Sequence, residues 1–170
     1  MILSEKNGSK NLYNVVGYCL DTVNCRRTVL AKYFCDGTLQ SGTSCEQNDL
    51  RCDNCSRGAQ TRTIDISRYV KMMGEAIDEA GRTEVRLTGN KLVDALRKKA
   101  KGILKSRLEQ LVAWCLCQGY LEEKYHFTPY STIPFLVSGP KLRGVVAGAD
   151  SVMIRVRMFK HLKIEKYASK

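Results

Sequence analysis

The sequence predicts an α+β fold, mostly helical, in which a cysteine-bearing helical subdomain is followed by a winged helix with a β-hairpin wing. Three observations carry this reading. Six of eight cysteines fall at or before Cys55. Three helix-period segments follow between residues 64 and 115. Two strand-period runs then flank the turn Thr128-Pro129-Tyr130-Ser131.

Taken in order, residues 12–20 and 25–34 read as short helices. The second carries Val29, Leu30, Tyr33 and Phe34 on one face. Residues 36–50 are rich in Gly, Ser, Thr, Asn and Asp, which is loop chemistry. A polar stretch around Gly58, residues 56–62, marks a boundary between modules. Residues 64–80 are expected to be helical, with Ile66, Tyr69, Val70, Met73 and Ile77 at helical spacing. Residues 84–87 form a short strand candidate. Thr88 is placed as an N-cap, with Leu87 and Leu92 spaced as a hydrophobic staple around it.

The next helix carries Leu92, Val93 and Leu96. After a break at residues 100–102 comes a third, with Leu104, Leu108, Leu111, Val112 and Cys115 on one side. Residues 120–127 and 132–137 form the hairpin, where Ile133, Phe135 and Val137 alternate as half-buried strand residues do. Three helices and a hairpin are the layout of a winged helix. In the tail Val152, Ile154, Val156 and Met158 alternate and suggest one more strand or helix. The organisation is then a cysteine subdomain at 1–58, a winged helix at 62–141 and a basic extension at 142–170.

Charge separates along the same lines. The chain has 170 residues, 28 Lys+Arg and 17 Asp+Glu, for a net +11. Residues 1–60 hold 7 basic and 6 acidic residues, 61–110 hold 12 and 7, 111–138 hold 1 and 2, and 139–170 hold 8 and 2. The positive excess sits in the second block and the tail, and points to a polyanionic partner, nucleic acid before acidic membrane. With 44% hydrophobic residues the chain has the means for a packed core, which excludes the disordered and low-complexity classes. No apolar run approaches the roughly 20 residues needed to span a bilayer, and no signal-peptide core is present. The chain reads as soluble and intracellular. In a reducing compartment eight cysteines argue for metal over disulfides.

Four of them have the right setting. Cys52-Asp53-Asn54-Cys55 is a C-x-x-C turn, which brings two thiolates to one side of a tight loop, as tetrahedral Zn²⁺ requires. Cys25 at a helix and Cys45 in the long loop can complete the shell. One structural zinc, contributing on the order of 10 kcal/mol, would explain how so polar a segment folds. Cys19, Cys35, Cys115 and Cys117 better suit buried free thiols. A redox C-x-x-C lacks the βαβ surroundings that it needs.

A second constellation is basic. Arg97, Lys98, Lys99, Lys101, Lys105 and Arg107 are six cations with no acid between them. Set where two helices of a winged helix meet, they suit a phosphate backbone, giving affinity and salt dependence without base reading. The plainer alternative is a solvated helix face.

At this point the residues resemble a known family. Tyr18-Cys19, Cys25-Arg26-Arg27, Tyr33-Phe34, Cys45 and Cys52-Asp53-Asn54-Cys55 are similar to the zinc-binding subdomain of RecQ-family DNA helicases. The long cysteine gaps look more like the eukaryotic Bloom-type branch than the compact bacterial one. The resemblance implies zinc on Cys25, Cys45, Cys52 and Cys55. Cys35-Asp36 departs from the family's Gly-Glu. Residues 88–101 and 120–140 then resemble the RecQ C-terminal (RQC) winged helix. The resemblance makes Thr88, Lys99 and Lys101 phosphate contacts. It makes residues 127–131 a strand-separating tip, with Tyr130 or Phe127 as a stacking wedge. The connection from Leu96 to Leu104 is shorter here than is usual in the family.

The resemblance covers about residues 12–141 and implies the accessory region of a 3'-5' DNA helicase. It implies forked or junction DNA as partner, a nuclear location, and roles in DNA repair and recombination. No G-x-x-x-x-G-K-[ST] motif occurs, so ATP hydrolysis is not expected of this chain alone; motor lobes would be supplied in cis or in trans. The alternative is a zinc-containing winged-helix module for protein interaction, without significant DNA affinity.

Overall fold

A computed structural model of the chain describes residues 2–34, 45, 50–56 and 61–157, with side chains from residue 9 onward. The expected loop at 36–50, apart from Cys45 and Leu50, lies outside the described residues. So do Cys35, Met158 and His161. The fold is mixed α+β and mostly helical, as the sequence indicates. It divides into two compact units, Met1–Leu20 with Asp65–Met153, and Asp21–Ile64 with Ile154–Lys170.

The larger unit begins with α1 (Ile2–Leu20), twice the expected length. Its first half has no apolar periodicity, so nothing in the sequence marks it. The helical core follows in α4 (Ser67–Arg82), α5 (Gly89–Lys99) and α6 (Lys105–Gln118), with α7 (Leu142–Val146) behind them. Residues 64–66 are not helical as expected. Thr61–Asp65 is extended, and Ile66 is the residue before the helix, its carbonyl accepting from Val70. β-branched Thr61, Thr63 and Ile64 favour that extended state.

Val70 and Met73 of α4, Leu92 and Leu96 of α5, and Leu108 and Cys115 of α6 are almost completely buried. Leu142, Val145 and Val152 join them. Leu104 departs from the expected pattern: it precedes α6 and is 68% exposed. Residues 84–87 do not form a regular strand. They lie extended beside the hairpin, tied to it where the Leu136 N–H donates to the Leu87 carbonyl at 2.8 Å.

The hairpin is β2 (Leu121–Phe127) and β3 (Thr132–Ser138), antiparallel, with Lys124 opposite Phe135 and Phe127 opposite Thr132. Leu121 and Leu136 enter the core. Ile133, Phe135 and Val137 are half-buried, as their alternation suggests, but they sit on the other face from Leu136. Gly119 ends α6 at φ 77°, a left-handed cap that suits glycine. Gly139 passes so close to the Gly119 carbonyl and to Tyr120 that a Cβ there would collide with backbone. This contact fixes where the hairpin leaves the helix.

Two hydrogen bonds secure α1 to the outer part of β2. The Tyr13 hydroxyl donates to Glu123 at 2.5 Å, and Ser9 and Tyr125 share a bond of 3.0 Å. Burial and the Glu123 carboxylate raise the Tyr13 phenol far above its ordinary range. Cys117 donates to the Tyr13 carbonyl, and Cys115 is fully buried, its thiol pushed up to about 12 by that burial. Cys19, expected to be buried, is exposed on α1.

The smaller unit contains α2 (Arg26–Phe34) and α3 (Asp53–Ser56). Its strand β1 (Thr61–Asp65) pairs with β4 (Met153–Arg157), so the alternating tail is a strand.

Candidate metal centre and basic surface

The smaller unit shows how the cysteines are brought together. After α1 the chain turns at Asp21, whose carboxylate accepts from the Val23 and Asn24 N–H groups, both at 2.9 Å. Burial acts to raise that carboxyl, but these bonds outweigh it and hold it below its usual value. The turn delivers Cys25 to the start of α2, where its carbonyl accepts from Val29 at 3.0 Å. Cys52 does the same for α3, accepting from Ser56 at 2.8 Å.

Two further contacts join these starts. Arg26 pairs with Asp53 at 3.1 Å. The side chain of Asn54, only 2% exposed, donates to the carbonyls of Asp21 (3.0 Å) and Asn24 (2.7 Å). Thus the residues between the two cysteines of Cys52-Asp53-Asn54-Cys55 act as struts. Asn54 is a residue that reading for metal ligands alone misses. Its signal in the sequence is a small amide inside a C-x-x-C turn, able to bridge two chain segments.

The Sγ atoms of Cys25, Cys45, Cys52 and Cys55 all lie within 4.8 Å of one another. Those of Cys25 and Cys45 are 3.5 Å apart. Four thiolates around zinc at Zn–S about 2.3 Å stand about 3.8 Å apart, so the cluster is the right size for that ion. Cys45 is 1% exposed, and its sulfur also accepts from the Cys52 N–H at 3.3 Å. The donor set is all sulfur, which suits zinc and excludes the hard cations.

Acid–base behaviour agrees with a metal site. Burial raises the Cys25 thiol, but N–H groups, that of Thr28 foremost, bring it down to about 6. The same competition lowers Cys52, through the N–H groups of Arg26 and Cys55. On Cys45 the Cys52 N–H lowers, while burial and the neighbouring thiols outweigh it and raise the group. Burial, then Cys52 and Cys25, push Cys55 up to about 12. Two thiols ionise readily and two resist, because four thiolates repel unless a cation lies among them.

Zinc must therefore displace protons as it binds. We expect its affinity to rise with pH and to fall steeply on acidification from about pH 8 to pH 6. Competition with a chromophoric chelator across that range measures it; an affinity independent of pH would contradict thiolate ligation.

The RecQ zinc-binding family matches residues 3–56, the stretch that contains all four sulfurs. "Putative ATP-dependent DNA helicase Q1" of Caenorhabditis briggsae is 38% identical over 148 residues, 84% of this chain and 24% of that protein. The chain is thus similar to RecQ-family helicases over part of their length. The Caenorhabditis elegans protein of the same name is 36% identical across 91% of the chain. The "RecQ-like DNA helicase BLM" of Xenopus laevis is 30% identical across 55% of it. The chain spans about a quarter of the length of the Q1 relatives that it matches. In this chain the four cysteines are positioned to bind one structural zinc ion.

The basic residues lie in the other unit. Thr88 immediately precedes α5, and its carbonyl accepts from Leu92 at 3.0 Å. Its side chain makes no capping bond. Lys98 and Lys99 end α5, Lys101 occupies the turn, and Lys105 and Arg107 open α6; all five are exposed. Lys99 pairs with Glu79 at 3.3 Å, and Lys105 with Asp94 at 3.7 Å and Glu109 at 4.0 Å. Arg107 donates to Gln110 at 2.7 Å. At the hairpin, Thr128 and Ser131 close the turn by mutual hydrogen bonds. Phe127 is 61% and Tyr130 98% exposed. Among the described residues, no helix is long and apolar enough to cross a membrane.

Proposed function

We propose that this chain is the DNA-gripping accessory region of a RecQ-type 3'-5' helicase. In this reading residues 1–58 are the zinc-binding subdomain, 62–141 an RQC-like winged helix and 142–170 a basic extension. The observation that carries it is the pairing of a four-sulfur RecQ zinc site with a winged-helix hairpin that holds Tyr130 almost wholly in solvent. An exposed aromatic at a turn gains nothing for the fold, whereas a base stacked on it gains roughly 1–3 kcal/mol. Phe127 at the foot of the same turn is a second such ring.

Thr88, Lys98, Lys99, Lys101, Lys105 and Arg107 are the proposed phosphate contacts. Supporting this, the Thr88 hydroxyl is not used as a helix cap. Lys105 and Arg107 begin a helix with no acid in its first turn, where N–H groups and cations attract the same anion. Forked or junction duplexes are the proposed substrate, the nucleus the proposed location, and motor lobes in cis or in trans the proposed source of ATP hydrolysis. The Bloom-type branch rests on the cysteine spacing; the Q1 relatives described above match more of the chain.

The test is Tyr130→Ala. Fork affinity should fall about tenfold, the equivalent of one lost stack, while blunt duplex affinity stays unchanged. Equal loss on both substrates, or on neither, would remove the wedge from the account. The competing reading, a protein-interaction module, predicts a folded, zinc-loaded chain with negligible affinity for either DNA.

A further inference from the structure

The outer face of the hairpin carries a feature that the basic connection and the tip leave unexplained. A groove of about 400 Å³ runs between the C-terminal end of α4, the extended residues 85–87 and the hairpin. Its floor is apolar, with Ile77 and Val137 among the contributors. Phe135, half-buried, also lines it, with the Arg86 guanidinium 5.4 Å from the ring centroid and the His126 ring 6.3 Å away at 53°. Lys124, opposite Phe135 in the ladder, is an exposed lining residue. Among the described residues that line the groove there is no carboxylate.

We propose that this groove receives one unpaired nucleotide of a DNA strand. The ligand is defined by two properties. The apolar floor and the Phe135 ring call for a flat, weakly hydrated body such as a nucleobase. Arg86 and Lys124 call for an anion attached to it. An unpaired nucleotide has both, and the volume lies at the lower end of the range for small-ligand sites. Arg86 has a double part, since a planar guanidinium can stack on a ring and still direct N–H groups at a phosphate. The segment that carries it follows Glu84, a non-glycine residue at φ 56°. A left-handed residue there sets the direction in which Arg86 leaves α4.

The proposal rests on the DNA-binding reading, and it extends that reading to a site for the strand once separated. The wedge at Tyr130 would open a pair; the groove beside the same hairpin would hold a released nucleotide.

The experiment uses the full zinc-loaded chain and fluorescence anisotropy with three probes. These are a single-stranded oligodeoxythymidine, the same oligomer with abasic sites, and a blunt duplex. The chain should bind the thymidine oligomer about tenfold more tightly than the abasic one. Arg86→Ala and Phe135→Leu should each abolish that difference, and Lys124→Ala should weaken both oligomers equally. Duplex affinity should stay unchanged in all three. Lys124 and Arg86 are exposed, so their variants report on binding even if Phe135→Leu unfolds the chain. Duplex binding together with equal affinity for both oligomers overturns the groove and leaves the DNA-binding reading standing. Absence of binding to every probe overturns the DNA-binding reading itself.

Discussion

Replacing Cys45 by serine should empty the metal centre and unfold the smaller unit while the winged helix stays folded. Cys45 is the most buried of the four ligating sulfurs, and it also accepts a hydrogen bond from the Cys52 backbone. A serine hydroxyl at that point is a poor zinc ligand at neutral pH. The three remaining thiols would hold the ion in an open shell. Structural zinc in small domains is worth on the order of 10 kcal/mol, so the unit's fold and its metal are one equilibrium. The expected loss in zinc affinity is at least about a thousandfold, or about 4 kcal/mol. Zinc per chain should fall from about one to near zero by elemental analysis. Limited proteolysis should cut within residues 21–64 and spare 67–146. The core built on Met73, Leu92, Leu96 and Leu108 is made within the larger unit and needs no metal. Full zinc content in the serine variant would contradict the four-sulfur assignment.

Charge reversal on the α5–α6 connection should have the largest effect on DNA. With Lys98, Lys99 and Lys101 all changed to Glu, affinity should fall by about a hundredfold near physiological salt. The slope of log affinity against log salt should shrink by about three, one for each lost phosphate contact. The residues are exposed at a helix end and a turn, so the fold should survive. Among the described residues the ion pair lost is Lys99 with Glu79, also exposed and of little energetic weight. Lysines at the end of α5 do favour its dipole, so a few tenths of a kcal/mol in stability should go with the charge. A thermal melt on the same sample separates this from binding. Affinity and slope unchanged from wild type would return these lysines to a solvated helix face.

Elements of this fold are legible in the sequence to the extent that each leaves a local signal. α4, α5 and α6 are visible because each buries one stripe, and Val70, Met73, Leu92, Leu96, Leu108 and Cys115 mark it. The hairpin is visible because Thr128-Pro129-Tyr130-Ser131 is a turn between two strand-like runs. The first half of α1 is not, since residues 2–11 have no apolar period and the helix meets its unit further along, through residues such as Tyr13. Residues 84–87 resemble a strand because Val85 and Leu87 alternate, yet one backbone bond to β3 is too little for a ladder. On β3 the alternation misleads about the face. Ile133, Phe135 and Val137 are the larger set, while Leu136, alone on its side, reaches the core.

At the metal centre the ligands are legible from type and spacing, which are covalent facts about thiols. What holds them is not. The Arg26–Asp53 pair and the Asn54 bonds to Asp21 and Asn24 join segments about 30 residues apart, and no local pattern announces such contacts. The exposed thiol of Cys19 shows the same limit, because which side of α1 meets solvent depends on where α6 lies.

The most direct test is the affinity of the zinc-loaded chain for a forked duplex and for a blunt duplex of the same sequence, measured across a salt series with zinc determined on the same sample. The expected result is about one zinc per chain, tighter binding to the fork, and affinity for both that falls steeply as salt rises. A chain that is folded and zinc-loaded yet binds neither DNA at physiological salt would contradict it.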